Sequence, residues 1–113
     1  MVRMLPAKLS TADRFKLARD VGFEVAQVPT QPDERKAEEI KRAAEAANIR
    51  IDSVMNMDHW KYPLSSSDRA VVEKSLAGMR SSLHYAKLWG SHAVLLVPAV
   101  VNPQTSYHDA WTR

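Results

Sequence analysis

Asn56, Asp58, His59, Trp60, Lys61 and Tyr62 bring an amide, a carboxylate, an imidazole, an indole, an ammonium and a phenol within seven residues of chain. An imidazole beside a carboxylate can exchange protons near neutral pH. An indole can lie on the apolar face of a sugar, while an imidazole or amide hydrogen-bonds its hydroxyls. Lys61 offers a phosphate a point charge. Each group also has a plain structural use. Asn56 is a good turn former, Trp60 can pack over the end of a sheet, His59 can cap a neighbouring helix, and Lys61 can be a solvated surface lysine. Met55 and Met57 read as packing around this loop.

The elements on either side must position these groups. Ile49 to Met55 has the composition of a strand and runs directly into Asn56. Behind the loop, Ser65-Ser66-Ser67-Asp68 opens a helix from about Asp68 to Trp89. Its expected buried stripe is Val71, Val72, Leu76, Met79, Leu83, Ala86 and Leu88, and Gly90 stops it. Ala93 to Val97 is a continuous apolar run, the pattern of a strand covered on both faces, hence of a parallel sheet. Pro98 to Pro103 is then a loop at the same end of the sheet as Asn56. Pro98 and Val100 would wall a pocket there, and Asn102 shapes the turn before Pro103.

Upstream the same alternation continues. Met1 to Pro6 is a short apolar segment, read as a stub of strand. Ser10 with Asp13 has capping spacing, and Phe15, Leu17, Ala18 and Val21 give a helix its apolar face. Phe23 to Val28 is a strand ended by Pro29 and Pro32. Asp33 caps a helix over residues 34–47, with Ala37, Ile40, Ala44 and Ala47 on one side and Asn48 as its left-handed end. Downstream, Ser106 and Asp109 form another capping pair, opening a helix with Ala110 and Trp111. Trp89 and Trp111 read as packing between helix and sheet. Alternation of this kind implies α/β architecture with right-handed βαβ crossovers.

Composition removes several classes of function. Lysine and arginine interleave with glutamate and aspartate, the net charge is only +3, and no basic stripe suits a nucleic-acid partner. There is no cysteine, which excludes disulfides and thiolate metal sites. No apolar run approaches the roughly 20 residues of a membrane span, and Pro6 breaks the N-terminal segment too early for a signal peptide, so a cytoplasmic, non-membrane protein is expected. Three glycines are too few for a phosphate-cradling loop. His84, His92 and His108 fall on different elements without ligand spacing. Arg50 and Asp52 share a strand face and are expected to pair with each other rather than to catalyse.

Taken together, Gly22-Phe23-Glu24, Ser53 to Asn56 leading into His59-Trp60-Lys61-Tyr62-Pro63-Leu64-Ser65, Val94 to Asn102, Ser106-Tyr107 and Ala110-Trp111 resemble the xylose isomerase-like TIM-barrel family. The closer likeness is to its sugar phosphate isomerase/epimerase branch, and it covers nearly the whole chain. It implies that residues 1–113 are the N-terminal half of a (β/α)8 barrel, with about four parallel strands and alternating helices. Complete members are about two to three times as long, as an eight-stranded barrel requires.

The resemblance also implies an activity: isomerisation or epimerisation of a sugar or sugar phosphate through a metal-stabilised enediolate. The divalent metal (Mn, Mg, Co or Zn) is held in the family by acidic and histidine ligands on later strands, so no ligand can be carried over to this chain. Glu24 lies at the wrong end of its strand, and only Asp58 and His59 are placed for acid–base work. No catalytic residue is therefore assigned, and the chain alone is expected to be silent. The expected substrate contacts are Asn56, His59, Trp60, Lys61, Pro98 and Val100. The alternatives are a non-catalytic half-barrel that pairs with itself as a homo-oligomer, and a barrel of the abasic-site endonuclease kind, for which His59 alone is a suitably placed histidine.

Overall fold

The computed structural model of the protein describes residues 4–112. Among them the elements run α1 (Thr11–Asp20), β1 (Val25–Pro29), α2 (Glu34–Ala46), β2 (Arg50–Met55), α3 (Arg69–Trp89), β3 (Ala93–Leu95) and α4 (Tyr107–Thr112). The three strands form one sheet in the order β1-β2-β3. Both pairings are parallel, with Val28 opposite Val54 on one side and Val54 opposite Val94 on the other. An order without reversal, joined by right-handed crossovers, keeps the connecting helices on one face. This is the α/β arrangement of a partial barrel.

Local chemistry sets the helix ends. Ser10 Oγ accepts from the Asp13 N–H at 3.1 Å and donates to the Asp13 carboxylate at 2.6 Å. Asp33 accepts from the N–H groups of Arg35 and Lys36, and Asp68 accepts from that of Ala70. Each cap satisfies donors that the first helical turn leaves open. Asn48 has φ 53°, the left-handed conformation that asparagine tolerates, and it releases the chain from α2 into β2. Gly90 ends α3 at φ 67°.

The core gathers Phe15, Val28, Ile49, Ile51, Val54, Tyr85 and Trp89 with a set of alanines. Burying a phenylalanine such as Phe15 contributes on the order of 2–3 kcal/mol. Ala37, Ala43 and Ala44 give α2 a small-residue face. The Ala37 carbonyl accepts the Trp89 indole N–H at 3.0 Å, which binds α3 to α2 and satisfies the one polar atom of a buried ring.

Several expectations are corrected here. The fully buried residues of α3 are Ser75, Gly78, Ser82, Tyr85, Ala86 and Trp89; of the expected stripe Ala86 is among them, Leu88 packs against the core, and Val71, Val72, Leu76 and Met79 are half-buried. Leu83 is 53% exposed. Small residues let the helix lie close to β2, and the hydroxyl of Ser82 is satisfied by the Gly78 carbonyl (2.9 Å) and by Thr30 Oγ1 (2.7 Å). The strand expected to run to Val97 leaves the ladder after Leu95, and Leu95 itself is exposed. Ala93 and Leu95 are exposed and Val94 is half-buried, so β3, the edge of the described sheet, is not covered on both faces. Phe23 and Val21 are exposed rather than packed. Of the expected strand stub at Met1–Pro6, residues 4–6 form none, and Met1–Arg3 lie outside the described residues. Trp111 is 78% exposed, stacked on Tyr107 at 6.4 Å and not against the sheet.

Candidate functional site

Because β2 and β3 are parallel, the loops that leave them emerge at the same rim. The first runs from Asn56 to Asp68 and the second from Leu96 to Ser106. The Asn56 N–H donates to the Leu95 carbonyl at 3.1 Å, continuing the ladder one step beyond the strands. Higher up, buried Ser65 accepts the Val100 N–H at 3.3 Å and ties the two loops together. Thr30, just after β1, donates its N–H to the Met55 carbonyl at 2.9 Å, and its hydroxyl proton is shared between that carbonyl (3.1 Å) and Ser82 Oγ (2.7 Å). Three strand ends are thereby fixed side by side.

Asn56 is buried. Its side-chain oxygen accepts the Asp58 N–H at 2.8 Å, an Asx turn that starts the loop, and its amide nitrogen lies 3.7 Å from the Met79 sulfur. The Lys61 and Tyr62 N–H groups both return to the Asp58 carbonyl, at 3.1 and 2.7 Å. The loop is thus a compact turn held by its own backbone. Its side chains have defined directions.

His59 is the most deeply placed titratable group of this rim, 1% exposed, with Nδ1 buried and unpartnered. Desolvation pushes its pKa below the ordinary imidazole value, and the Asp58 charge opposes that only in part. The ring is therefore neutral at pH 7. Trp60 next to it is 64% exposed and meets His59 edge-on at 5.0 Å between ring centroids. One residue faces the interior and its neighbour faces solvent, a division the sequence alone does not reveal.

Of the expected contact residues, Asn56, His59, Trp60 and Lys61 share this loop, and Val100 joins it through Ser65. Pro98 is exposed on the neighbouring loop. Asn102 shapes its turn by accepting the Gln104 N–H. Asp58, the expected partner for acid–base work, turns its carboxylate onto α3 at Gly78. Arg50 and Asp52 pair as expected, near the opposite rim, where His92 also contacts Asp52 at 3.3 Å. His84 lies 3.8 Å from Glu34.

The sequence of the xylose isomerase-like TIM barrel family matches residues 15–113. The chain belongs to that family. No curated protein matches the chain. The match spans both rim loops and every contact residue named above. It also accounts for the parallel order of the strands, and in barrels of this kind ligand sites stand at the C-terminal ends of the strands.

Residues that pattern reading missed complete the rim. Gly78 gives up a Cβ so that Asp58 can lie on α3, and a lone glycine inside a helical pattern is the signal that could have found it. Ser65 and Thr30 look like ordinary loop residues in sequence. Lys74 sits on α3, yet its ammonium reaches the Tyr62 ring.

Among the described residues no group of three or more histidine, aspartate or glutamate side chains converges as a metal site. The Asp58 carboxylate lies against Gly78 of α3. The donor set among the described residues does not fit the divalent metal associated with the family. Among the described residues no helix is long and apolar enough to cross a membrane.

Proposed function

We propose that the chain forms the substrate-binding N-terminal half of a sugar or sugar-phosphate isomerase/epimerase barrel. The observation that carries this reading is the pairing of buried, neutral His59 with exposed Trp60 at the C-terminal end of β2. The indole offers its face to the apolar side of a sugar. His59 lies behind it, Asn56 sets the turn that presents both rings, and Pro98 and Val100 wall the adjacent side. Lys61 stands where a phosphate could be met.

In this role the chain binds and orients, and it does not turn over substrate alone. Isomerisation next to a carbonyl needs groups that take and return a proton. Asp58 and His59 occupy one loop, and Asp58 is engaged with α3. Titrating the labelled chain with ketoses, aldoses and their phosphates, read by amide and indole NMR, tests the assignment. Shifts confined to residues 56–65 and 96–102, lost in Trp60→Ala, are expected, with weak affinity of about millimolar order. Shifts clustered around Asp52 and His92, or none with any of these sugars, would overturn it. Metal-dependent turnover by the chain alone would overturn the claim of silence.

A second reading rests on the sheet edges. Phe23 and Val25 are exposed at the start of β1 and Leu95 at the end of β3, and Val101, Tyr107 and Trp111 are exposed in the segment that follows β3. An uncovered parallel edge with apolar neighbours favours pairing with further strands. A half-barrel that assembles with itself would bury them. Light scattering decides: a stable monomer over a wide concentration range rules this reading out.

A further inference from the structure

We infer that the space between α1, α2 and the end of β1 is a second ligand site, selective for a small aliphatic carboxylate. None of the residues assigned to the sugar lines it, so it stands apart from that reading.

A cavity of about 130 Å³ lies there. Phe15 of α1, Val28 and Pro29 of β1 and Ile40 of α2 give it apolar walls. Thr11, Arg14 and Gln31 add a hydroxyl, a guanidinium and an amide. Apolar cavities of similar volume hold guests the size of benzene, so about six heavy atoms fit.

Arg14 decides the class of guest. Its Nε donates to the Pro6 carbonyl at 3.1 Å and its Nη2 to the Ala7 carbonyl at 2.7 Å. Both acceptors are neutral. They orient the guanidinium plane and leave its charge unbalanced. Arg14 belongs to no ion pair among the described residues, and the residue is half-buried. A guanidinium beside apolar walls gains from a carboxylate, whose two oxygens match its planar fork. Because two backbone carbonyls already hold the side chain, little rotamer freedom is lost on binding. A dianion such as phosphate gains less, since one guanidinium balances half of its charge and the apolar walls desolvate the rest.

The cavity adjoins a surface cleft with which it shares Thr11, Gln31 and Ile40. Lys36 and Glu39 also line that cleft. Their opposite charges offset each other, so selectivity for an acid falls to Arg14. The cleft gives the guest a way in.

The test titrates the labelled full chain with butyrate and with butyramide, its neutral counterpart, at fixed ionic strength. Saturable amide shifts around Thr11, Phe15, Val28 and Gln31 are expected with butyrate, with a Kd of about millimolar order. Butyramide should bind at least about tenfold more weakly, and so should butyrate to Arg14→Met. Acetate, shorter by two methylenes, should lose about tenfold as well. Ile40→Phe fills the cavity, keeps Arg14 and should abolish the shifts, while circular dichroism checks both folds. Binding of butyramide or acetate as tight as that of butyrate overturns the ligand class, and this comparison needs no variant. Shifts confined to residues 56–65 and 96–102, shifts undiminished in Ile40→Phe, or no shifts with butyrate overturn the site.

Discussion

The side chain of Asp58 lies directly on the bare Cα of Gly78. A Cβ built at Gly78 would stand 2.9 Å from Asp58 Cβ and 3.0 Å from its Cγ, and closer still to Oδ2. The carboxylate oxygen could swing aside, but Asp58 Cβ is fixed by the turn that Asn56 begins. Gly78→Ala therefore has opposed effects. It gains up to about 1 kcal/mol of helix propensity. It costs roughly 1–3 kcal/mol of overpacking as the loop is displaced. Net destabilisation is expected from urea unfolding. Adding Asp58→Gly to Gly78→Ala should recover the propensity gain, a coupling that a double-mutant cycle measures. Additive effects would mean that the two residues do not touch.

Ser65 holds the two rim loops together. Its hydroxyl accepts the Val100 N–H, and the residue is buried. Ser65→Ala leaves that amide without its acceptor, at a cost of about 1 kcal/mol. The sharper readout is local. Hydrogen exchange at the Val100 amide should accelerate, while amides in the middle of α3 keep their protection. Unchanged exchange at Val100 would show that the loops are joined by other means.

The architecture was legible wherever a residue's role is local. Ser10, Asp33 and Asp68 cap the helices that their types announce, Asn48 takes the left-handed turn, and Arg50 pairs with Asp52. The parallel order followed from alternation alone. What failed depended on distance across the fold. Ser75 and Ser82 are buried in preference to Leu83 because α3 approaches the sheet closely, and periodicity ranks side chains by apolarity, not by closeness of approach. Ala93 to Val97 reads as a covered strand in isolation, but its pairing with β2 ends at Leu95. At the site, the loop's chemistry was visible in its residue types. The inward turn of His59, the outward turn of Trp60 and the arrival of Lys74 at Tyr62 were not, because each depends on how the loop folds back on Asp58.

Ser82 is a polar residue in the middle of the packed face, and its hydroxyl links α3 to the end of β1 through Thr30 at 2.7 Å. Ser82→Ala keeps the close helix approach and leaves Thr30 Oγ1 bonded to the Met55 carbonyl. Its cost should be about 1 kcal/mol. Ser82→Val has no room in a position that is fully buried, and should cost about 1–3 kcal/mol more. Chemical denaturation of the two variants separates the bond from the space. Equal losses would mean that the hydrogen bond, not the tight packing, is what the serine contributes.

His59 gives the fold a pH dependence of defined sign. Desolvation lowers its pKa below the ordinary value of 6.5 that it regains on unfolding. Below that value the unfolded chain binds a proton that the folded chain refuses, so stability falls as pH drops from about 6.5 towards the depressed folded value. Above about 6.5 both states are neutral and this contribution is complete. His59→Gln keeps a polar side chain of similar reach without the titration. Comparing urea midpoints at about pH 7.5 and about pH 5 should show a smaller acid-side loss in the variant than in the parent. Other groups titrate in both proteins, so the difference between the two slopes carries the test. Parallel slopes would show that the imidazole titrates alike in the folded and unfolded chain and is not held in a desolvated niche.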